Sequence, residues 1–298
     1  MLKTISCILV LSSPALAGTL EAPVVGGTPA PAGKWPAVAL VVAPTALCTG
    51  TLIAPDVVLT AGHCIDVHPE LVVIGTVDYS KPGGEEIAVK SAIAYPEWQK
   101  SYDVGVLVLE HAAKTEPGTI AAACTAESEL VAGAKVEVVG FGLTTKSGTG
   151  SNTKLEQGAL PVDDASCTQD PACQPAIAPG GEFTAGGNGT DSCFGDSGGP
   201  LYLGDTEIGV VSRGVSADGK PCGGGGVYVR ADRVVSWIES VTKRKIARST
   251  CDGKADGGDG GDDAAAGGCD VAGGALGGGA LVLAALAWLL AIPRKPRG

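Results

Sequence analysis

Short apolar runs separated by turn-forming residues occupy most of the chain. The runs are rich in Val, Leu, Ile and Thr, and Gly, Pro, Asn and Asp interrupt them before a helical periodicity can develop. One amphipathic helix is predicted at residues 233–245, where apolar side chains recur on or near one face. The pattern therefore predicts an all-β domain that ends in a helix. The predicted strands are residues 37–42, 57–60, 71–74, 104–109, 135–139, 207–212 and 227–230.

Residues 1–17 have the features of an export signal. One lysine precedes an apolar stretch at residues 5–10, and Ala15-Leu16-Ala17 fits a small-x-small cleavage site. A buried amphipathic helix is the alternative, but the segment is short and is followed by Pro- and Gly-rich sequence. We therefore expect a signal peptide at residues 1–17, a short propeptide at residues 18–23 and an exported protein.

The composition changes abruptly after residue 246. Residues 251–270 contain six aspartates and one lysine among many Gly and Ala residues, which predicts a flexible acidic linker at 247–270. Calcium binding is the alternative, although the aspartate spacing matches no EF-hand loop.

Residues 271–292 carry no charge over 22 positions, which is enough for a transmembrane helix, and the basic tail 293–298 would stay cytoplasmic. Residues 24–246 remain as the folded domain, which is long enough for a sizeable core.

Residues 195–200 form the most informative motif, Gly-Asp-Ser-Gly-Gly-Pro. A serine between glycines can expose its hydroxyl while neighbouring backbone N–H groups converge on one point. Acyl transfer needs this combination of a nucleophile and an adjacent anion site. An ordinary glycine-rich turn is the alternative for a shorter motif. Ser197 is therefore a candidate nucleophile.

Two upstream motifs supply groups that could activate Ser197. His63 lies in Leu-Thr-Ala-Gly-His-Cys and is one of three histidines, and a neutral imidazole suits proton transfer near pH 7. Asp103 leads directly into an apolar strand, where a buried carboxylate requires a donor such as His63. Taken alone, His63 could be a buried structural histidine and Asp103 a strand cap. The three motifs together favour catalysis.

The chain order His63, Asp103, Ser197 and the surrounding motifs resemble the trypsin-like serine proteases of the chymotrypsin fold over residues 24–245. The resemblance implies two six-stranded antiparallel β-barrels, with the active site between them and a C-terminal helix. It also implies that His63 is the general base, Asp103 its orienting partner and Ser197 the nucleophile, as in the family's well-known triad. The N–H groups of Gly195 and Ser197 would form the oxyanion hole.

The same resemblance implies a substrate pocket. It places Asp191 at the base of the S1 pocket, where an acidic residue selects Arg or Lys at P1. Ser212, Gly214 and Gly226 correspond to other substrate-binding positions, and the glycines would leave room for long side chains. A loop aspartate without a ligand is the alternative for Asp191. Arg213 stands where relatives usually carry an aromatic residue, so we expect an altered preference at P2–P4, including acidic groups.

Val24-Val25-Gly26-Gly27 resembles the mature N-terminus of these proteases. In the family the freed ammonium pairs with the aspartate before the nucleophile, here Asp196, because a buried carboxylate without a partner is unfavourable. A solvent-exposed turn is the alternative. Residue 23 is Pro rather than Arg or Lys, so we expect a different activating protease, or stepwise trimming of residues 18–23.

Ten cysteines in a chain with an export signal indicate an oxidising compartment. Thr184 replaces the usual family cysteine, so Cys173 becomes the expected partner of Cys167, with a zinc site as the alternative. Cys124 and Cys251 remain as a further pair. The disulfides that the resemblance implies directly are Cys48–Cys64 and Cys193–Cys222.

The C-terminal module resembles the sorting signals of myxobacterial surface proteins (MYXO-CTERM type). Cys269 follows two glycines and precedes the apolar segment and the basic tail. The resemblance implies processing or lipidation at Cys269 by sorting machinery, and a plain membrane anchor is the alternative.

These features predict an exported, surface-anchored serine endopeptidase that cleaves after Arg or Lys through an acyl-enzyme. The expected partners are protein or peptide substrates with Arg or Lys at P1, an activating protease, sorting machinery and the membrane. No metal or cofactor is expected, and a net charge of −11, partly due to the linker, argues against nucleic acid. The alternative is a catalytically silent homologue that acts as a surface binding module, although such proteins usually lose a triad residue or the oxyanion glycine.

Overall fold

The computed structural model describes residues 23–251. The expected signal peptide, most of the propeptide, nearly all of the acidic linker, the apolar segment, Cys269 and the basic tail lie outside the described residues. Within residues 23–251, every helix is too short or too polar to cross a bilayer. The expected protease domain, in contrast, falls almost entirely within the described part.

Fourteen strands form two sheets in this part of the chain. They are β1 (Thr28–Pro29), β2 (Val38–Val42), β3 (Leu47–Ala54), β4 (Val57–Thr60), β5 (Leu71–Ile74), β6 (Glu85–Ala94), β7 (Gly105–Leu109), β8 (Thr119–Ile120), β9 (Lys135–Gly140), β10 (Glu156–Pro161), β11 (Glu182–Ala185), β12 (Pro200–Leu203), β13 (Thr206–Gly214) and β14 (Gly226–Arg230).

Six consecutive strands form a closed antiparallel barrel in the order β2-β3-β4-β7-β6-β5. Its strands carry the β-branched and aliphatic residues that the sequence pattern predicted, and alternate side chains fill the interior. Leu52, Ile74 and Leu107 are fully buried in this core. The barrel therefore confirms the all-β expectation and one of its two predicted barrels.

The second sheet has eight strands rather than the expected six. Its path is β1-β10-β9-β12-β13-β14-β11, and β8 pairs in parallel with β13. The two additional strands, β1 and β8, are each only two residues long. An isolated antiparallel bridge between Val162 and Ala185 brings the ends of β10 and β11 together. The interior contains the large buried side chains Phe183 and Tyr228.

The C-terminal helix is shorter than predicted and spans Val235–Thr242. A 3₁₀ turn at Ala231–Val234 precedes it, and Lys243 ends it in a left-handed conformation with φ of 58°. Ile238 packs in one cluster with Ile53 of β3 and Val229 of β14, so the helix contacts both sheets.

The other helical segments are short. They are the helices Gly62–Ile65 and Ala123–Glu129 and the 3₁₀ turns Trp98–Lys100 and Pro175–Ile177. Residues Pro23–Gly26 form a turn in which Val24 and Val25 are not helical.

The structure contains all four expected disulfides. Two of them lie beside the site described below, and a third closes the short loop that holds Cys167 and Cys173. Cross-links of this kind stabilise a fold mainly by restricting the unfolded chain. The bonds are Cys48–Cys64, Cys124–Cys251, Cys167–Cys173 and Cys193–Cys222.

Candidate active site

A cavity of about 690 Å³ lies between the barrel and the second sheet. His63 and Asp103 reach it from the barrel, and Ser197 and Ser212 reach it from the second sheet. The four polar side chains that the sequence places far apart therefore surround one open space. Clefts with a few convergent polar groups are the usual location of active sites.

Neighbouring barrel strands bring His63 and Asp103 together. His63 lies in the helix that follows β4, Asp103 lies just before β7, and Thr60 of β4 pairs with Gly105 of β7. His63 Nδ1 is 2.9 Å from Asp103 Oδ2, and the backbone N–H of His63 donates to Asp103 Oδ1 at 2.9 Å. The carboxylate thus contacts both the ring and the backbone of His63, which fixes the orientation of the imidazole.

Asp103 is held in its ionised form although it is buried. Burial pushes the pKa of this carboxyl up, but hydrogen bonds from His63 and Ser212 outweigh that effect and lower the pKa below its usual value. Ser212 donates its hydroxyl to Asp103 Oδ2 at 2.7 Å. The carboxylate is therefore an anion that can stabilise a positive imidazole.

Ser197 sits in a turn that requires a glycine directly after it. Gly198 has φ of 79°, and a Cβ there would lie 2.1 Å from Thr60 Oγ1 and 2.5 Å from the Thr49 carbonyl oxygen. The Thr49 N–H also donates to the Ser197 carbonyl at 2.9 Å. The turn is thus packed directly on the first barrel and presents Ser197 at the cavity wall.

The backbone N–H groups of Gly195 and Ser197 are both free to bind an anion. Each residue lines the cavity, and neither N–H donates to a protein group in residues 23–251. The neighbouring Asp196 and Gly198 N–H groups, in contrast, donate to the carbonyls of Cys193 and Val211. Two unused donors beside Ser197 are the groups that an oxyanion site requires.

Ser212 and Gly214 line the cavity as expected, whereas Asp191 is fully buried and does not line it. Ser192, the next residue, lines the cavity, and its hydroxyl is 3.2 Å from that of Tyr228. Gly226 does not line the cavity either, and a Cβ there would meet the Tyr228 hydroxyl at 2.6 Å.

Backbone donors surround the Asp191 carboxyl. Its Oδ1 accepts the Ser192 N–H at 2.8 Å, and its Oδ2 accepts the N–H groups of Gly223 and Gly225 at 2.8 and 2.9 Å. Burial raises the pKa of Asp191 to about 6, because these donors offset only part of the desolvation. The side chain is thus largely ionised at neutral pH and close to titrating.

Asp196 and Val24 are both fully buried. The Asp196 carboxylate accepts the N–H groups of Cys193 at 2.9 Å and Gly142 at 2.8 Å, and has no cationic partner among the described residues. Burial raises the pKa of Asp196 to about 7. Val24, still bonded to Pro23, has φ of 42°, a strained conformation for a β-branched residue.

Arg213 presents no free positive charge to the cavity. Its Nη1 and Nη2 form a bidentate ion pair with the buried Glu182, at 2.7 and 2.9 Å. Glu182 already compensates the guanidinium, which weakens the electrostatic argument for acidic side chains at P2–P4; that preference stays a prediction.

Cys48, His63 and Cys64 bring three possible metal-ligand atoms within 4.8 Å of one another. Both sulfurs belong to the Cys48–Cys64 disulfide, so neither is a thiolate that could bind a metal.

The sequence analysis missed several residues at the site. The ring of Trp98 lies 6.1 Å from that of His63, and Phe194 and Leu47 expose apolar side chains at the cavity. Glu182 was missed because its partner, Arg213, lies 31 residues away. Gly62, which precedes His63 in the motif, is in close contact with one of these residues, since a Cβ there would meet Trp98 at 2.8 Å.

Several known proteins are similar to this chain in sequence. A protein named Trypsin from Saccharopolyspora erythraea is 32% identical over 228 residues, covering 70% of this chain and 92% of that protein. Chymotrypsin-like elastase family member 1 of Homo sapiens is 29% identical over 245 residues, covering 74% and 93%. Glucanase inhibitor protein 3 of Phytophthora infestans is 34% identical over 212 residues, covering 66% and 79%. The family model described as Trypsin matches residues 24–238, well over half of the sequence, and the chain therefore belongs to the trypsin family.

Proposed function

We propose that this protein is an exported serine endopeptidase that cleaves peptide bonds after Arg or Lys through an acyl-enzyme. One observation carries the proposal: the His63–Asp103 pair and Ser197 face one cavity beside two unused backbone N–H donors. Trypsin-family membership adds protein or peptide substrates as the substrate class.

Ser197 is the proposed nucleophile and His63 the proposed general base. The Ser197 hydroxyl attacks the scissile carbonyl carbon while its proton passes to His63 Nε2, and the C–N bond then breaks as that proton moves to the leaving amine. Water, activated by the same imidazole, hydrolyses the acyl ester and releases Ser197. Asp103 stabilises the imidazolium that forms in both steps.

The N–H groups of Gly195 and Ser197 are the proposed oxyanion hole. They would donate to the carbonyl oxygen as it gains negative charge in the tetrahedral intermediate. One such donor contributes about 3–4 kcal/mol to transition-state stabilisation.

Asp191 is the proposed determinant of P1 choice. A cationic P1 side chain entering over Ser192 would gain a buried carboxylate partner that a neutral side chain cannot use. The N–H groups of Gly223 and Gly225 occupy Asp191 Oδ2, whereas Oδ1 accepts only the Ser192 N–H and keeps an acceptor position for the P1 cation.

Cleavage before Val24 is the proposed activation step. It would release a strained Val24 and create an ammonium group that can pair with Asp196, the buried carboxylate that lacks a cation. Pro23 disfavours self-cleavage by an Arg/Lys-specific enzyme, so the proposal includes a separate activating protease or trimming of residues 18–23.

Four disulfides indicate an extracellular protein. Surface anchoring through residues 271–292, with processing at Cys269 by sorting machinery, remains part of the proposal and rests on the sequence alone.

A second candidate is a catalytically silent surface binding module. The name of the Phytophthora relative, a glucanase inhibitor protein, favours this possibility. The presence of all three triad residues and of Gly195 favours the protease instead, because a binding module has no need of them.

Labelling by a fluorophosphonate probe distinguishes the two candidates. The probe esterifies an activated serine, so we expect the full chain cut before Val24 to be labelled and the Ser197→Ala variant to remain unlabelled. Ser192→Ala is the matched control and should still be labelled. Absence of labelling in the cleaved wild-type chain would favour the binding module.

A further inference from the structure

The guanidinium of Arg213 uses all five of its N–H donors. Nε and one Nη2 donor bind the Ala172 carbonyl at 2.9 and 2.6 Å, and the second Nη2 donor binds Glu182 Oε2 at 2.9 Å. Nη1 donates to Glu182 Oε1 at 2.7 Å and to Ser212 Oγ at 2.9 Å. Because no donor is left over, the group is held in one position.

This arrangement fixes the direction of the Ser212 hydroxyl. A guanidinium can only donate, so Ser212 Oγ must accept from Arg213 and its own proton points elsewhere. Its other polar neighbour is Asp103 Oδ2 at 2.7 Å, the same oxygen that contacts His63 Nδ1. A chain of hydrogen bonds therefore runs from Arg213 through Ser212 to Asp103 and His63.

The far side of Arg213 is anchored in the second sheet. Glu182, the first residue of β11, is fully buried and also accepts the Gln174 N–H at 2.7 Å. Ala172 belongs to the loop closed by Cys167–Cys173. Glu182 neutralises Arg213, so the arrangement adds orientation without a net charge at the cavity.

We infer that Arg213 is a positioning residue for the proposed catalysis, one that holds the Ser212 hydroxyl as a donor to Asp103 and so keeps His63 aligned. This inference rests on the proposed function of the triad. It assigns Arg213 to the orientation of catalytic groups rather than to the recognition of P2–P4 side chains.

A double-mutant cycle tests the inference, with the rate of fluorophosphonate labelling of the full chain cut before Val24 as the readout. The probe is small and independent of P1 choice. We expect Arg213→Met to slow labelling on the order of ten-fold, as misplacement of a catalytic group does. In a Ser212→Ala background the same substitution should change the labelling rate less than about two-fold, because the hydroxyl through which Arg213 acts on Asp103 is already absent. Arg233→Met, at an arginine that does not line the cavity, is the matched control and should match wild type.

Arg213→Met leaves Glu182 buried without its cation, so a second variant separates folding from positioning. Arg213→Met/Glu182→Leu removes both charges and should label as slowly as the single variant. A double variant that labels at the wild-type rate, or an equal loss with and without Ser212, would overturn the inference.

A measurement that does not depend on enzyme activity tests the role of Arg213 independently of the proposed function. The proton NMR resonance of His63 Nδ1–H reports on its bond to Asp103 whether or not Ser197 reacts. It should move in Arg213→Met and stay in place in Arg233→Met. Unlabelled wild-type protein would contradict the protease proposal, whereas an unmoved resonance would contradict the role of Arg213.

Discussion

At the scale of single residues, Asp191 decides whether the cavity can select a cationic side chain. Its carboxyl is buried and bound by three backbone N–H groups, yet burial still raises its pKa to about 6. A ligand cation can pair only with the ionised form. Cation binding and proton binding therefore compete at this one carboxyl.

Binding of benzamidine, a small aromatic amidinium, should consequently weaken as the pH falls through about 6. Above that pH Asp191 is ionised and attracts the amidinium; below it the carboxyl is neutral, and each further pH unit should weaken binding about ten-fold. Titration calorimetry of the cleaved chain between pH 4.5 and 8, with Asp191→Ser as the comparison, measures this. Equal affinity in the two proteins at pH 8 would show that Asp191 does not select the P1 residue.

At the scale of elements, the pattern of apolar residues predicted strands that are short runs of mostly Val, Leu and Ile. It missed β3, which is buried but contains Cys, Thr and Gly. The predictions for β4 and β5 coincide with the observed strands Val57–Thr60 and Leu71–Ile74. β6 and β11 were missed because β6 mixes exposed charged residues with apolar ones, and β11 begins with Glu182. That glutamate is buried as an ion pair with Arg213, and sequence spacing does not reveal such a distant partner.

Some residues of the candidate site were likewise predictable from the sequence, and others were not. The His63, Asp103 and Ser197 motifs were recognisable because their flanking residues are characteristic, and the structure brings all three to one cavity. The enclosure of Asp191 was not predictable, since it depends on how the glycine segment 223–225 brings two N–H groups to the carboxyl. Glycine runs allow many backbone paths, so their final position is set by tertiary contacts.

Gly142, in the segment after β9, allows a prediction about the loop that contains Gly195 and Ser197. A Cβ at Gly142 would come within 2.4 Å of the Asp196 carboxylate, which braces the loop bearing Gly195 and Ser197. Gly142→Ala should therefore slow fluorophosphonate labelling at least about ten-fold by displacing that loop. Gly118→Ala is the matched control, because its nearest neighbour is 3.4 Å away. Equal labelling rates for the two variants would show that the loop tolerates the added methyl group.

At the scale of the whole molecule, the two sheets meet on buried polar groups as well as apolar ones. Glu207 of β13 is fully buried, and its two carboxyl oxygens have no hydrogen-bond partner among residues 23–251. Burial raises the pKa of Glu207 to about 8, and only the Thr51 hydroxyl of β3, across the interface, acts in the opposite direction. The folded protein thus keeps this carboxyl protonated at neutral pH, whereas the unfolded chain releases the proton near pH 4.5.

The free energy of unfolding should fall as the pH rises from about 4.5 to 8, because the unfolded chain binds fewer protons over that range. Glu207→Gln mimics the protonated carboxyl, so it should match wild type at pH 4.5 and exceed it by on the order of a few kcal/mol at pH 8. The raised pKa values of Glu156, Asp191 and Asp196 leave part of the slope in both proteins. Urea unfolding of the uncleaved chain at the two pH values measures the difference, with the exposed Glu86→Gln as the control. If Glu207→Gln follows the wild-type curve throughout, Glu207 is ionised in the folded protein and the interface between the sheets contains a charge.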